Sequence, residues 1–144
     1  MNIKDRIKER LGGKITAWEE KSSRRIYFSV KKEDILETVN FLFKDLGLRF
    51  SIASGIDIPS GFEILYHFSL DKTGEVYSVR VFIEDKINPR IDSIATIFPG
   101  AEWIEREMWE MLGINFIGHP NLKRLLLSDD WPQGKYPLRQ DYEP

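Results

Sequence analysis

The chain has 144 residues, 42% apolar and 31% charged, with a formal charge of −2 in which acids and bases are interleaved. That is one domain's worth of sequence, able to bury roughly 70% of its unfolded surface, and without a basic stripe it is no ordinary nucleic-acid-binding module. With no cysteine and only His67 and His119 as histidines, the chain cannot hold a thiolate-ligated iron–sulfur cluster or a disulfide, and a zinc site would need carboxylates or a second chain.

Taken in order, Asn2 to Leu11 sets Ile3, Ile7 and Leu11 at i, i+4 and i+8, a short amphipathic surface helix ended by Gly12-Gly13. Lys14 to Trp18 follows. Arg24 to Val30 alternates Ile26, Phe28 and Val30 against Arg25, Tyr27 and Ser29, the pattern of a half-buried strand. Glu33 to Leu46 is the clearest helix, with Ile35, Leu36, Val39, Leu42, Phe43 and Leu46 in one stripe and Gly47 as its stop. Leu48 to Ala53 reads as a strand and Ser54 to Gly61 as loop. Phe62, Ile64, Tyr66, Phe68 and Leu70 alternate on the next strand, with His67 on its other face. Asp71-Lys72-Thr73-Gly74 is hairpin chemistry, and Tyr77, Val79, Val81 and Ile83 return. Asn88-Pro89 breaks that strand, and Ile91 to Phe98 is a short helical approach. No apolar stretch nears the ~20 residues of a membrane span, and no signal peptide is visible. Consecutive strands with short links predict an α+β fold: a mainly antiparallel sheet of about four strands, helices on one face, and an extended C-terminal segment.

Pro99 to Gly113 has helix punctuation at both ends. Trp103, Ile104, Met108, Met111 and Leu112 share a face. Glu107 falls inside it, and Trp109 lands on the charged side. An ionised carboxylate on an apolar face needs a partner, which assigns Glu107 to a buried ion pair with Arg124 or Arg139 and leaves Glu105 and Glu110 at the surface. From Ile114 to Pro144 the prolines exclude a long helix, yet Trp131, Tyr136, Arg139 and Tyr142 are residue types favoured where proteins meet. Together with Trp109 and His119 they form the expected partner interface. The division is residues 1–113 as an α+β domain and 114–144 as its extended partner-binding segment, ordered mainly by partner contact.

Glu105-Arg106-Glu107, Glu110-Met111-Leu112, Gly118-His119-Pro120, Lys123, Leu125-Leu126, Asp129-Asp130-Trp131 and Pro137 to Tyr142 together resemble the signature of the complex I thirty-kilodalton subunit family, the C-type subunits of NADH-quinone oxidoreductases. Similarity extends upstream through Phe62 to Phe68. The resemblance implies a non-catalytic, cofactor-free peripheral subunit on the cytoplasmic side of the membrane. It would bind the large subunit carrying the NiFe site or quinone site and lie near the iron–sulfur subunit beside it, with membrane contact only through other subunits. The long link from Trp131 to Pro137 and the short chain look more like the counterparts in archaeal membrane-bound NiFe hydrogenases and sulfur-reducing complexes than like the NADH-quinone oxidoreductase member itself.

Other readings compete with this one. Glu107, Glu110 and His119 could serve a stand-alone hydrolase, since paired acids do proton chemistry when their pKa values are pushed apart. Gly118 and Pro120 fix the backbone around His119, which favours a hydrogen-bonded loop anchor over a general base. Asp129 and Asp130 supply too few oxygens for calcium and fit turn or cap duty. No catalytic, cofactor-binding or metal-ligating residue is assigned.

Overall fold

Alternating apolar residues carry the chain into strands, and 3.6-residue stripes carry it into helices. The structure, a computed structural model, describes residues 2–128 and 130–143. The helices are α1 (Ile3–Leu11), α2 (Ile35–Asn40) and α3 (Glu102–Leu112); the strands are β1 (Ile15–Ser22), β2 (Arg25–Val30), β3 (Arg49–Ile58), β4 (Gly61–Leu70), β5 (Glu75–Ile83), β6 (Arg90–Asp92) and β7 (Asn115–Ile117). Asn2 caps α1 by accepting the Asp5 amide at 2.8 Å, satisfying one of the donors a helix start leaves free. A 3₁₀ turn opens α2, and a π-helical turn over Phe41–Asp45 extends it toward Gly47.

The main sheet runs β1-β2-β5-β4-β3. Its pairs are antiparallel except β2 with β5, which is parallel from Arg25↔Val76 to Ser29↔Arg80. One face is the core: Ile26, Phe28 and Val30 of β2, Phe62, Ile64, Tyr66 and Phe68 of β4, and Tyr77, Val79, Val81 and Ile83 of β5 are all buried, packed with Ile7 and Leu11 of α1, Ile35 and Val39 of α2, Leu42 of the π-helical turn, and Met108 and Leu112 of α3. Each such aliphatic or Phe side chain contributes about 1.5–3 kcal/mol of gross burial. The other face carries Tyr27, Leu65, His67, Arg80, Ile52 and Ile56. No helix of the described residues is long and apolar enough to cross a membrane.

The α+β architecture is the one expected, with one more strand in the main sheet. β1 is a full strand, although its pattern of burial shows little alternation. The expected loop over Ser54 to Gly61 is instead the second half of β3, joined to β4 by a two-residue turn at Pro59-Ser60. Gly55 is a strand residue because α3 crosses there: a Cβ on it would lie 3.0 Å from Leu112 Cδ1 and 3.2 Å from Met108 Sδ. Its lack of a side chain sets the helix–sheet distance rather than a turn. The approach to α3 holds β6 and a 3₁₀ turn over Ile94–Thr96. β6 pairs in parallel with β7, so Ile114 and Phe116, both buried, belong to the core, and the irregular stretch begins at Gly118.

Candidate partner-binding interface

The last helix presents two functional edges. Ala101, Glu105, Met108 and Leu112, at spacings of four, three and four, are buried on the sheet side. Arg106 and Glu110, one turn apart, are buried under the C-terminal segment. An irregular segment lacks ladder partners for its backbone groups, and those groups must be satisfied if they are covered.

Arg106 and Glu110 divide that task by charge. Arg106 Nε donates to the Lys123 carbonyl at 2.9 Å and Nη2 to the Arg124 carbonyl at 2.6 Å. The Glu110 carboxylate accepts the amides of Leu125, of Leu126 at 2.8 Å and of Leu127 at 3.4 Å. Hydrogen bonds to charged groups are worth about 1.5–3 kcal/mol each when well made, so this pair fixes 123–127 without using any of that stretch's side chains.

A second attachment closes the end of α3. The helix stops at Gly113, whose φ is 79°. The terminal carbonyls of Met111 and Leu112 would be orphaned; Leu138 N–H takes the first at 2.9 Å and Arg139 Nε the second at 2.6 Å. The Arg139 guanidinium lies 5.1 Å from the Phe62 ring centroid and 4.9 Å from that of Tyr136, a cation–π geometry. Tyr136 covers Gly113 so closely that a Cβ there would meet its ring at 2.6 Å. Beyond it, Gln140 N–H donates to Asp57 Oδ2 at 2.8 Å, and Gln140 Nε2 to the Asp57 carbonyl at 3.0 Å, while Lys86 pairs with the same carboxylate. Within the chain, 123–127 and 136–140 are thus each attached through hydrogen bonds to α3 and β3.

Between these attachments the chain loops outward. Arg124 donates to the carbonyls of Ser128 (2.6 Å) and Trp131, Trp131 Nε1 donates to Lys135 O at 2.7 Å, and the Trp131 and Tyr142 rings stack at 6.1 Å. A cleft of ≈ 390 Å³ remains between loop and helix, lined by Trp109, Glu110, Arg124, Trp131, Lys135 and Tyr136 among others. Asp130 accepts the Ser128 hydroxyl at 2.6 Å, and this bond holds its carboxyl below the usual range; Asp129 lies outside the described residues.

At the other end of α3, Glu105 is fully buried. Its oxygens accept Ser93 Oγ at 2.5 Å and the Ile94 amide at 2.9 Å, tying α3 to the turn after β6. Burial raises its carboxyl above the ordinary value, against the lowering effect of those donors. His119 Nε2 donates to Glu102 O at 2.9 Å while Nδ1 accepts the Asn121 amide at 2.9 Å, an arrangement that requires the Nε2-protonated neutral ring. Gly118, with φ 84°, and Pro120 flank it. On the open sheet face, His67 Nδ1 lies 2.6 Å from Ser78 Oγ. Burial and then Arg25 push that ring below its ordinary value.

Several expectations on α3 are corrected. Glu107 is only partly buried and, among the described residues, has no hydrogen-bond or ion-pair partner; Arg124 and Arg139 are engaged with backbone carbonyls instead. The buried acids are Glu105 and Glu110, the two expected at the surface. Trp103, expected in the core, is 66% exposed, and Trp109 is half-buried. The physical reason is that backbone amides, invisible in a helical wheel, satisfy the two buried carboxylates, while Trp103 and Ile104 line an open groove. Nor do Glu107, Glu110 and His119 converge: His119 bonds at the start of α3, and Glu110 sits eight residues on, about 12 Å along the axis. Among the described residues no three His, Cys, Asp or Glu side chains are placed to hold a metal. Asp57 and Ser93 were missed; each reads in sequence as an ordinary strand-end or turn residue.

Comparison with known proteins bears on what such a surface serves. The family described as "Respiratory-chain NADH dehydrogenase, 30 Kd subunit" matches residues 28–144. A Chloroherpeton thalassium protein, named as the C-type subunit of NADH-quinone oxidoreductase, is 39% identical over 123 residues, covering 81% of this chain and 50% of that protein. One of the same name from Chelativorans sp. is 32% identical over 142 residues, 94% of this chain and 68% of that protein. The chain spans about half the length of several of the curated relatives it matches. Among solved structures, a chain of the membrane-bound sulfane sulfur reductase, described as an archaeal respiratory membrane complex, superposes with a TM-score of 0.83 over 98% of this chain and 84% of its own, at 24% identity. A trypsin-resistant fragment of Nqo5 gives 0.70 over 85% of this chain and all of its own, at 22% identity. Both structural likenesses speak to fold.

Proposed function

Because the chain belongs to the family of the respiratory-chain NADH dehydrogenase 30 Kd subunit, we propose that it is a non-catalytic, cofactor-free subunit that positions the large catalytic-site subunit of a complex I-related membrane oxidoreductase. The partner is the subunit carrying a NiFe site or its quinone-site equivalent, with the adjoining iron–sulfur subunit nearby, on the cytoplasmic side and in contact with the membrane only through other chains. The observation that carries this reading is that the C-terminal segment is gripped by its backbone. Arg106 and Glu110 use amides and carbonyls from Lys123 to Leu127, and Leu126 and Leu138 are each left 61% exposed. A surface built in this way is rigid before binding, which lowers the ordering cost of association.

The setting we favour is an archaeal-type membrane-bound hydrogenase or sulfane sulfur reductase, on the strength of the long link between Trp131 and Pro137 that forms the outer loop. The names of the relatives at 32–39% identity favour NADH-quinone oxidoreductase as the second setting. Affinity isolation from native membranes, followed by mass spectrometry, separates the two by the catalytic subunit recovered. Recovery should fail for Leu138→Asp while the variant's unfolding transition stays within a few degrees of wild type. Isolation of the chain free of any oxidoreductase subunit would overturn the proposal.

A further inference from the structure

The two edges of the main sheet are treated differently. β1 carries Glu19, Glu20 and Lys21 and has register shifts near both ends, the devices that keep an edge from pairing. β3 has one shift, at Ser51, and then runs in regular register from Ile52 to Ile58. From Phe50 to Ile56 it contains neither a charge nor a proline. Among the described residues, no backbone group of this stretch bonds outside the β3–β4 ladder. Ile52 and Ile56 are 52% and 50% exposed. An unguarded apolar edge of this kind is a template for another strand.

Beside that edge, on the α3 side, lies a groove of ≈ 640 Å³. Phe43, Phe50 and Phe98 line it with Trp103, Ile104, Leu125 and Leu126; Glu107 lies on its wall, as does Arg49, whose charge is met by Asp71. Glu107 has no partner among the described residues, so the groove is apolar with one uncompensated carboxylate. Successive side chains of a strand point to opposite faces. A strand added to β3 would therefore put alternate residues into the groove and the rest beside Ile52 and Ile56. We infer that the β3 edge accepts an extended apolar strand from a neighbouring protein, with a lysine or arginine of that strand meeting Glu107. A second copy of β3 does not fit the charge: its one cation, Arg49, is already paired with Asp71. The inference does not depend on which complex the chain serves.

The test uses the full chain and a capped synthetic peptide of about seven residues, the length of a short strand, alternating isoleucine and threonine around one lysine. Its fully N-methylated twin and a glutamate-for-lysine version are the controls. Addition of the lysine peptide should slow amide exchange across 51–56 and shift the emission of Trp103, and the methylated twin should do neither. The glutamate peptide should bind about threefold more weakly, as suits a rim ion pair, and Glu107→Lys should reverse that order. Three results would each overturn the inference: equal binding of the methylated twin, no slowing at 51–56, or slowing that tracks protein concentration without peptide and so marks a second copy as the occupant.

Discussion

Glu110 holds the amide of Leu126 at 2.8 Å, and through its other oxygen the amide of Leu125 as well. A buried carboxylate facing successive amides is satisfied without any cation, which is how α3 can bury an acid beside its apolar face. Four residues earlier, Arg106 does the converse with two carbonyls. The pair acts as a surrogate ladder for a stretch that forms no secondary structure.

Glu110→Gln removes the charge and turns an amide group toward N–H donors, so it should cost about 2–4 kcal/mol of stability. Glu107→Gln, at a side chain without partners, should cost less than ~0.5 kcal/mol. Denaturant unfolding of both variants decides this; equal effects would remove the carboxylate's role.

Arg106→Lys keeps the charge but loses the planar fork that reaches two carbonyls at once. It should destabilise by about 1–3 kcal/mol, and Arg106→Met should do so by more. A lysine variant indistinguishable from wild type would show that charge alone suffices.

Gly113→Ala meets two obstacles, a left-handed backbone costing about 1–2 kcal/mol and the Tyr136 ring at 2.6 Å. The second disappears when Tyr136 is alanine. The substitution should therefore be milder in a Tyr136→Ala background than in wild type, and an additive double mutant would contradict the contact.

Much of the fold was legible in sequence, and the parts that were not share a cause. Ile7, Leu11, Ile35, Val39, Leu42 and the alternation from Phe62 to Phe68 and from Tyr77 to Ile83 are buried as the pattern displays, while Leu36, Phe43, Leu46 and Leu70 are only partly so. The second half of β3 was hidden because Gly55 reads as a breaker, whereas the constraint on it comes from Met108 and Leu112, more than fifty residues away. The signature positions were legible as a pattern but not as geometry. Glu105, Arg106 and Glu110 bond to backbone groups of Ile94, Lys123, Arg124 and Leu125 to Leu127, and amides carry no mark of residue identity. Asp57, which anchors Gln140, gave no signal beyond that of a residue near a turn.

Glu105 gives the fold a pH dependence with a definite sign. Its folded carboxyl lies above the ordinary value because it is buried, so the folded state binds its proton more tightly than the unfolded chain does. Stability from this group is fully present below the unfolded value near 4.5 and falls as pH rises through the folded value. The stability difference between wild type and Glu105→Gln should shrink as pH is raised from about 4.5 toward 7. A difference that grows with pH would show that the donors from Ser93 and Ile94 outweigh desolvation.

The central claim is that α3 itself fixes the C-terminal segment through the backbone of 123–127, and residue-resolved amide hydrogen exchange on the isolated chain tests it most directly. The account predicts that Leu125 and Leu126 exchange far more slowly than Gly134 and Lys135 in wild type, and that Glu110→Gln brings them to the loop rate while Val79 and Val81 in the sheet stay protected. Leu125 and Leu126 amides exchanging as fast as Gly134 in the wild-type chain would contradict it.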